Sequence, residues 1–451
     1  MCIRDRNPGT ISINGQREFS NAFTVNGSDA EEDVNSGTAI IPNLDSVAEF
    51  RILTSNFDAE FGGHSGGQIN VVTKSGTNAF HGDGFEFLRN TSLDARNYFS
   101  PTRGTFDQNQ FGGTFGGPIR KNKTFFFADY QGTRSTEGVD TGDIAVPTAA
   151  ERAGIFPDVV IPESVWSAPA RNLLKYIPQP NVGTNEFATS AYNETLRDDK
   201  GAFRLDHNSR WGALSTYYFL DDYTLNNPYP VAQSGASVPG FNALYLGRAQ
   251  LISIGDTKTL ASTALNEFHF TYMRDHSDLG KPIGGLGVSL ASQGFLTGAG
   301  TPGIVPLNPA GEGVENIVFN AFSIGTNANE LKQVNNTFQW TDNLSKVWGR
   351  HTIKFGLEFH YDQINTNAIA QFNGNFLFTG SETRPDFEDF LLGLPSQYNQ
   401  SQLQPFYGRN RYWGLYAQDS WRVRSNLTLN YGLRWDRIEP WYEKNLSLIH
   451  I

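Results

Sequence analysis

At 451 residues the chain is long enough for two or three soluble domains, but its composition points elsewhere. Only 18% of residues are charged, Gly numbers 46 and aromatics reach 13%, whereas the mean hydropathy of −0.41 and the absence of any apolar run longer than four residues exclude transmembrane helices, which need roughly 18 apolar residues in a row. The net charge of −11 argues against nucleic-acid binding, which wants a basic surface.

The ends come first in chain order. Met1–Arg6 and Leu446–Ile451 can both be encoded by one DNA sequence, ATGTGTATAAGAGACAG, read inward from either end. This is the signature of a translated library adapter, so residues 1–6 and 446–451 are expected to be foreign and the native segment to be a piece of a longer chain. Cys2 is the sole cysteine, so the native segment would hold neither a disulfide nor a cysteine metal site.

Residues 7–78 are dense in turns and small residues and read as a small mixed domain. Asn14-Gly15 and Asn26-Gly27 are hairpin dipeptides. Ser46–Thr54 reads as a strand, Gly62–Gly67 as a loop and Gln68–Lys74 as a second strand. From Ala79 to Asn445 the hydrophobic period is two. Ile353, Phe355, Leu357, Phe359 and Tyr361 alternate with Thr352, Lys354, Gly356, Glu358, His360 and Asp362; Leu427–Asp436 and Glu267–Tyr272 repeat the pattern. One face is apolar and aromatic and the other carries charge along its length, the pattern of a transmembrane barrel with lipid outside and a polar lumen.

Thirteen strands are predicted: 79–89, 107–118, 123–134, 199–207, 211–223, 244–256, 262–276, 332–344, 350–364, 370–379, 397–406, 409–423 and 426–438. Long connections (90–106, 135–198, 224–243, 277–331) alternate with short ones, as extracellular loops alternate with periplasmic turns in outer-membrane barrels. The assignment breaks the rule once, with Gly380–Ser396 as a long periplasmic connection and Tyr407-Gly408 as a short outer turn. Tyr217-Tyr218-Phe219, Trp340, Trp348, Tyr412-Trp413, Trp421, Trp435 and Trp441 are candidates for the interfacial aromatic girdles.

The segment Ile41–Ile52, then Ala59-Glu60-Phe61-Gly62, then Ser65–Lys74 resembles the plug of TonB-dependent outer-membrane receptors in order and spacing. Ser75–Gly82, Phe85–Asn90, Leu93–Phe99, Asn109–Gly113, Gly116–Ile119, Lys123–Phe127 and Tyr130–Arg134 resemble the Oar-like branch more narrowly, as do Tyr416–Trp421 and Leu427–Trp435 near the end. Asn26-Gly27 stands where that branch usually has Asp-Gly. The resemblance implies an all-β-dominated fold: a transmembrane antiparallel barrel of about 22 strands, roughly 13 of them here, preceded by a small mixed α/β plug. It implies structural roles for the plug-motif residues Glu49, Glu60, Gly62, Gly66, Gly67, Asn70, Thr73 and Lys74. It also implies an energy-transducing TonB-type complex as partner, an outer-membrane location in contact with lipid, and a nutrient ligand bound at the extracellular face. Gly62, Gly63, Gly66 and Gly67 suit turns that need positive φ or close backbone approach.

Catalytic patterns are missing: there is no HExxH, G-x-S-x-G or Walker sequence. No catalytic residue, metal or cofactor is expected. His64, His269 and His360 read as solvated polar residues, and so do Asp221-Asp222 and Asp386, Glu388 and Asp389. Glu31-Glu32-Asp33 lacks EF-hand spacing. The function expected is ligand binding and energised transport through a plugged barrel, with an adhesion or organising protein without uptake as the alternative. An extracellular β-rich enzyme or glycan-binding protein would not need the aromatic outer face. The substrate is not legible, since loops 135–198 and 277–331 suit sugars, peptides or polymers alike. Trp166 and Tyr192 could stack on sugar, though ordinary loop packing is the better reading.

Overall fold

The computed structural model describes residues 11–32, 37–54, 57–96, 103–298, 303–326, 329–367, 374–401 and 405–445. Both adapter-like ends and the Asn97–Phe99 block lie outside the described residues.

A small sheet forms first. Its strands are β1 (Ala22–Val25), β2 (Ser28–Asp29), β3 (Val47–Leu53) and β4 (Gln68–Thr73), in the order β2-β1-β4-β3 with β1 and β4 parallel. Asn26 and Gly27 join β1 to β2 with φ of 53° and 80°, the double left-handed turn that an Asn-Gly hairpin favours. Two short 3-10 turns, Glu18–Ser20 and Leu44–Ser46, supply its helical part.

A large antiparallel sheet follows, built of long hairpins. Its first three strands are β5 (His81–Arg89), β6 (Phe106–Arg120) and β7 (Thr124–Gly138). A loop with the short pair β8 (Ile144–Ala145) and β9 (Glu186–Phe187) leads to β10 (Asn193–Asn208) and β11 (Ala213–Asn227). Next come β12 (Ala243–Ala261) and β13 (Ala264–Pro282), then the loop strands β14 (Asn316–Val318) and β15 (Ser323–Ile324). β16 (Leu331–Trp348) and β17 (His351–Asn367) precede the loop strands β18 (Asn375–Leu377) and β19 (Gln397–Asn399). The chain ends in β20 (Pro405–Arg424), β21 (Leu427–Ile438) and the short β22 (Tyr442–Glu443). Eleven strands pair in the order β21-β20-β17-β16-β13-β12-β11-β10-β7-β6-β5, and β22 adds to β20.

Among the described residues the wall therefore has eleven long strands, where the sequence suggested thirteen. The expected strands at 370–379 and 397–406 supply β18 and β19, which join β14 and β15 in a separate four-stranded sheet, and only Pro405 and Phe406 reach the wall, as the start of β20. β17 pairs directly with β20, so the described residues 374–401 belong to the connection between these two neighbouring strands. This removes the apparent long periplasmic connection, and Gly408 lies inside β20. The two segments misled because they alternate like wall strands but are too short to cross a bilayer, which takes about 9–11 residues per strand.

The long loops fold together into a cap. Ile144, Trp166, Leu173, Val238, Phe319, Phe322, Phe387 and Phe390 belong to a single buried core drawn from the loops after β7, β11, β13 and β17. Helix α1 (Ala149–Arg152) carries a Thr148–Glu151 capping box. α2 (Ala168–Leu173) starts at Ser167, whose side chain accepts from Ala170 N–H, and α3 (Asp386–Leu392) ends at Gly393 in the left-handed region. Asp389 is buried and accepts from Thr383 N–H (2.9 Å) and Thr383 Oγ1 (2.7 Å), and Asp386 accepts from Asn320 N–H (2.8 Å). These acids organise the cap and are not the solvated residues expected.

Candidate functional site: the seam between the small sheet and the wall

The wall alternates, and its contacts say which side faces in. Ala202, Tyr217, Phe219, Ala249, Leu251 and Met273 bury themselves against Val25, Ala30 and Ile40 of the small sheet and the segment after β2. Their strand neighbours Phe203, Tyr218 and Ile252 point outward and are exposed. Tyr217, Phe219 and Tyr412, expected in the girdle, are thus inward-facing and buried. The outward aromatics form a continuous band instead: Phe270–Trp340 (5.3 Å between centroids), Tyr272–Phe338 (4.9 Å), Trp340–Phe359 (5.4 Å) and Phe359–Trp413 (4.2 Å).

The rest of the seam is polar. Ser28 Oγ donates to Ser253 Oγ and accepts from Thr271 Oγ1, both at 2.8 Å and buried. Asp29 N–H donates to Gln339 Oε1 (2.9 Å). Glu32 Oε1 receives Gln333 Nε2 (2.7 Å) and Asn335 Nδ2 (2.5 Å) near the outer ends of the strands. Asn43 donates to Asp129, and Arg204 to the Thr73 carbonyl (2.9 Å). Ser75 donates to Asp206 (2.6 Å).

Two charged knots tie this seam. Arg434 reaches Glu358 (2.5 Å), Asp436 (2.8 Å) and Tyr412 OH (2.7 Å), and also donates to the carbonyl of Glu60 (3.0 Å). Lys354 Nζ lies 2.9 Å from Glu60 Oε2, and Glu60 N–H donates to Gln418 (3.1 Å). Higher up, His64 Nε2 meets Glu31 Oε2 (3.0 Å), Glu31 N–H donates to Asp29 Oδ1 (3.0 Å), and Asp29 Oδ2 faces His360 Nδ1 (3.6 Å). His360 then meets Glu358 (3.0 Å), linking the knots. Burial, and then the neighbouring Glu31 charge, pushes Asp29 up to about 7 against the pull of His360. Burial opposes the charge on His64, but the hydrogen bond and charge of Glu31 outweigh it and raise the imidazole above its ordinary value. His64 and His360 are therefore ion-paired seam residues; the expectation that they are solvated is corrected.

The plug-motif residues fall into three groups. Glu60 and Gly62 sit at the seam, where a Cβ on Gly62 would run into the Arg434 side chain. Gly66, Gly67, Asn70 and Thr73 hold the small sheet together. Gly66 N–H donates to Ser20 O (2.7 Å), and a Cβ there would lie 2.6 Å from that carbonyl oxygen. Gly67 N–H donates to Asn21 Oδ1 (2.8 Å), Asn70 accepts from Thr24 (2.6 Å) and Thr73 N–H donates to Asn26 Oδ1 (2.9 Å). Of the four glycines, close approach explains 62, 66 and 67, and only Gly63 has positive φ, at 80°. Glu49 is exposed beside Arg51 (3.4 Å), and Lys74 bonds Ser46 through its backbone N–H (2.7 Å). Sequence reasoning missed Asp29, Arg434 and Gln339. The inward face of alternation could have flagged Arg434, but nothing local marks which inward residues find partners in the small sheet.

Comparison with known proteins places the chain. A family model described as "Outer membrane beta barrel domain" matches residues 72–449, so the chain belongs to that family and is an outer-membrane protein. The TonB-dependent transporter Oar of Myxococcus xanthus is 26% identical, over 97% of this chain and 44% of its own length. The outer-membrane transporter YddB of Escherichia coli superposes with a TM-score of 0.57 at 11% identity, over 96% of this chain and 50% of its own. The pyoverdine outer-membrane receptor FpvA of Pseudomonas aeruginosa gives 0.50 at 11% identity, over 93% and 51%. The resemblance to TonB-dependent receptors therefore holds for family and fold, and the chain spans about half the length of the relatives it matches.

Proposed function

We propose that the protein is a TonB-dependent outer-membrane receptor. It binds a nutrient ligand beneath the cap and admits it when an inner-membrane energy-transducing complex displaces the small sheet, which serves as plug. On this reading residues 7–78 are the C-terminal part of the plug and 79–445 the first part of the barrel. Glu60 and Gly62 act at the seam, and Gly66, Gly67, Asn70 and Thr73 maintain the plug, with Glu49 on β3 and Lys74 just after β4.

The observation that carries the reading is the make-up of the seam. Its small-sheet side offers Val25, Ala30 and Ile40 to a shared apolar core, with Phe23, Ala39 and Val71 partly buried against it, worth on the order of 5–10 kcal/mol at about 1.5–3 kcal/mol for each large side chain. The remainder is hydrogen bonds and ion pairs, each worth about 0.5–1.5 kcal/mol net because water replaces the lost partner. Such a seam is specific in the resting state and cheap to wet. The cap, held by a far larger apolar core, is not.

The test is energy-dependent exposure. Ser28 is fully buried, so in the full chain Ser28→Cys should react with a membrane-impermeant maleimide only in energised cells, at least tenfold faster than after collapse of the proton gradient. Equal rates in both states would favour an uncoupled adhesion or organising protein.

A further inference from the structure

The outward wall carries an arginine line just beyond its aromatic band. Inward positions are fixed by contacts: Asp129 with Asn43, Arg204 with Thr73, Ala249 and Met273 with the small sheet's core, Gln418 and Arg434 with the Glu60 backbone. Alternation then points Arg134, Arg197, Arg248, Arg274, Arg411 and Arg437 outward.

The register shows that these six share one height. Arg437 lies opposite Trp413, and Arg411 is two residues further out on β20. Opposite Arg411, Tyr361, Phe338 and Tyr272 follow in one row across β17, β16 and β13, and Arg274 is again two residues further out. Arg274 faces Gln250, with Arg248 two further out on β12. The row from Arg248 runs through Asp222 to Asp199; Arg197 is two further out on β10, and it faces Arg134 on β7. The line climbs four steps of two residues in eight strand crossings, one residue per strand. At ~3.3 Å per residue and ~4.8 Å between strands this is a slope of about 35°, matching the roughly 35–45° tilt of strands in outer-membrane barrels. A line climbing at the tilt angle is level in the membrane. The short turns step the same way: Ala213 faces Thr257 while β12 runs on to Ala261, and His351 faces Trp421 while β20 runs on to Arg424.

The line is under-neutralised. Asp199 pairs with Arg134 (2.7 Å) and Arg197 (2.8 Å), Asp222 with Arg248 (2.6 Å), and Glu439 with Arg411 (3.8 Å) and Arg437 (3.6 Å); Arg274 donates to Asn336 (2.9 Å). Among the described residues, six guanidinium groups thus face three carboxylates. Side-chain exposure of the ion-paired arginines runs from 37% at Arg134 to 70% at Arg197, so the forks remain open outward. Immediately below lie Trp413, Trp435, Tyr272 and Tyr218, the aromatic belt that marks the bilayer interface.

We propose that this line binds the phosphate groups of outer-leaflet lipids. Guanidinium forks match phosphate oxygens in pairs, and the belt sets them at headgroup height. The wall thereby holds a fixed lipid annulus on the side of the cap.

The full chain, extracted in mild detergent, should be titrated with bisphosphorylated lipid A and with the same lipid dephosphorylated, retention being read by native mass spectrometry. The wild type should retain the phosphorylated lipid about a hundredfold better than the dephosphorylated one. R248Q/R411Q/R437Q should lose about that factor, and R248K/R411K/R437K should stay within about tenfold of wild type. Equal retention of the two lipids by the wild type overturns the proposal without any variant. So does a folded glutamine variant that retains lipid like wild type. Displacement by millimolar inorganic phosphate would overturn it too, marking a free-anion site.

Discussion

At the scale of single residues, the small sheet's carboxylate Asp29 makes the seam sensitive to pH. Its folded-state value of about 7 lies far above the ordinary 3.8, and His64 is raised above its ordinary 6.5. Both groups bind protons more tightly in the docked state than unfolded. Their contribution is complete below the unfolded values and is lost as pH rises through the folded ones. The groups facing them are Glu31 on the same segment and His360 on β17, with Glu358 behind it. Protection factors in residues 22–31, exchange rates corrected for intrinsic base catalysis, should therefore be severalfold lower at pH 8 than at pH 6, and Asp29→Asn should flatten most of that dependence. A slope unchanged in the variant would assign the titration to other groups. The strands around Gly66, Gly67 and Asn70 were legible as a small sheet, and their partners Ser20, Asn21 and Thr24 lie in the same small sheet or just before it. The partners of Asp29 were not, because Gln339 and His360 lie more than 300 residues away and only the wall's register brings them there.

At the scale of elements, alternation and loop length were enough to find all eleven wall strands and the five short turns, because a wall strand must keep one face apolar for its whole length. They could not separate β18 and β19 from the wall, since three residues of alternation look alike in a loop and a barrel. The cap escaped notice for a different reason: its core is assembled from four loops whose apolar residues follow no regular period. Trp166 illustrates this. It is buried in the cap with its Nε1–H donated to Ile161 O (3.0 Å), as loop packing would have it, whereas Tyr192 is exposed beside Tyr229. The cap also buries the carboxyl group of Glu315, whose pKa burial, and then nearby Glu312, holds well above the usual range. Its stabilising contribution is present at low pH and lost as pH rises through that raised value. Glu315→Gln keeps the shape and removes the buried charge. It should raise cap stability by about 1–2 kcal/mol near pH 8, read as slower amide exchange over residues 314–326, with little effect at pH 5.

At the scale of the whole molecule, the two cores divide the labour. The cap core ties loops to loops and leaves the small sheet out of it. The seam core ties the small sheet to one stretch of wall, β10 to β13, and the charged knots tie it to β17, β20 and β21. Movement of the small sheet would therefore break the seam without unfolding the cap, and this separation can be tested with a covalent pin. Ser28 and Ser253 have side-chain oxygens 2.8 Å apart in the buried seam, and Cys2 is the only other thiol. A Ser28→Cys/Ser253→Cys pair, with Cys2 replaced, should close into a disulfide after small adjustment. If the small sheet must leave its seat, the oxidised protein should support growth that depends on it at least tenfold less well than the reduced protein. Exchange protection of the cap should be the same in both. Full activity with the pin closed would mean that passage, if any, occurs with β1 and β2 still docked on β12, and that only the lower knot around Arg434 and Glu60 opens.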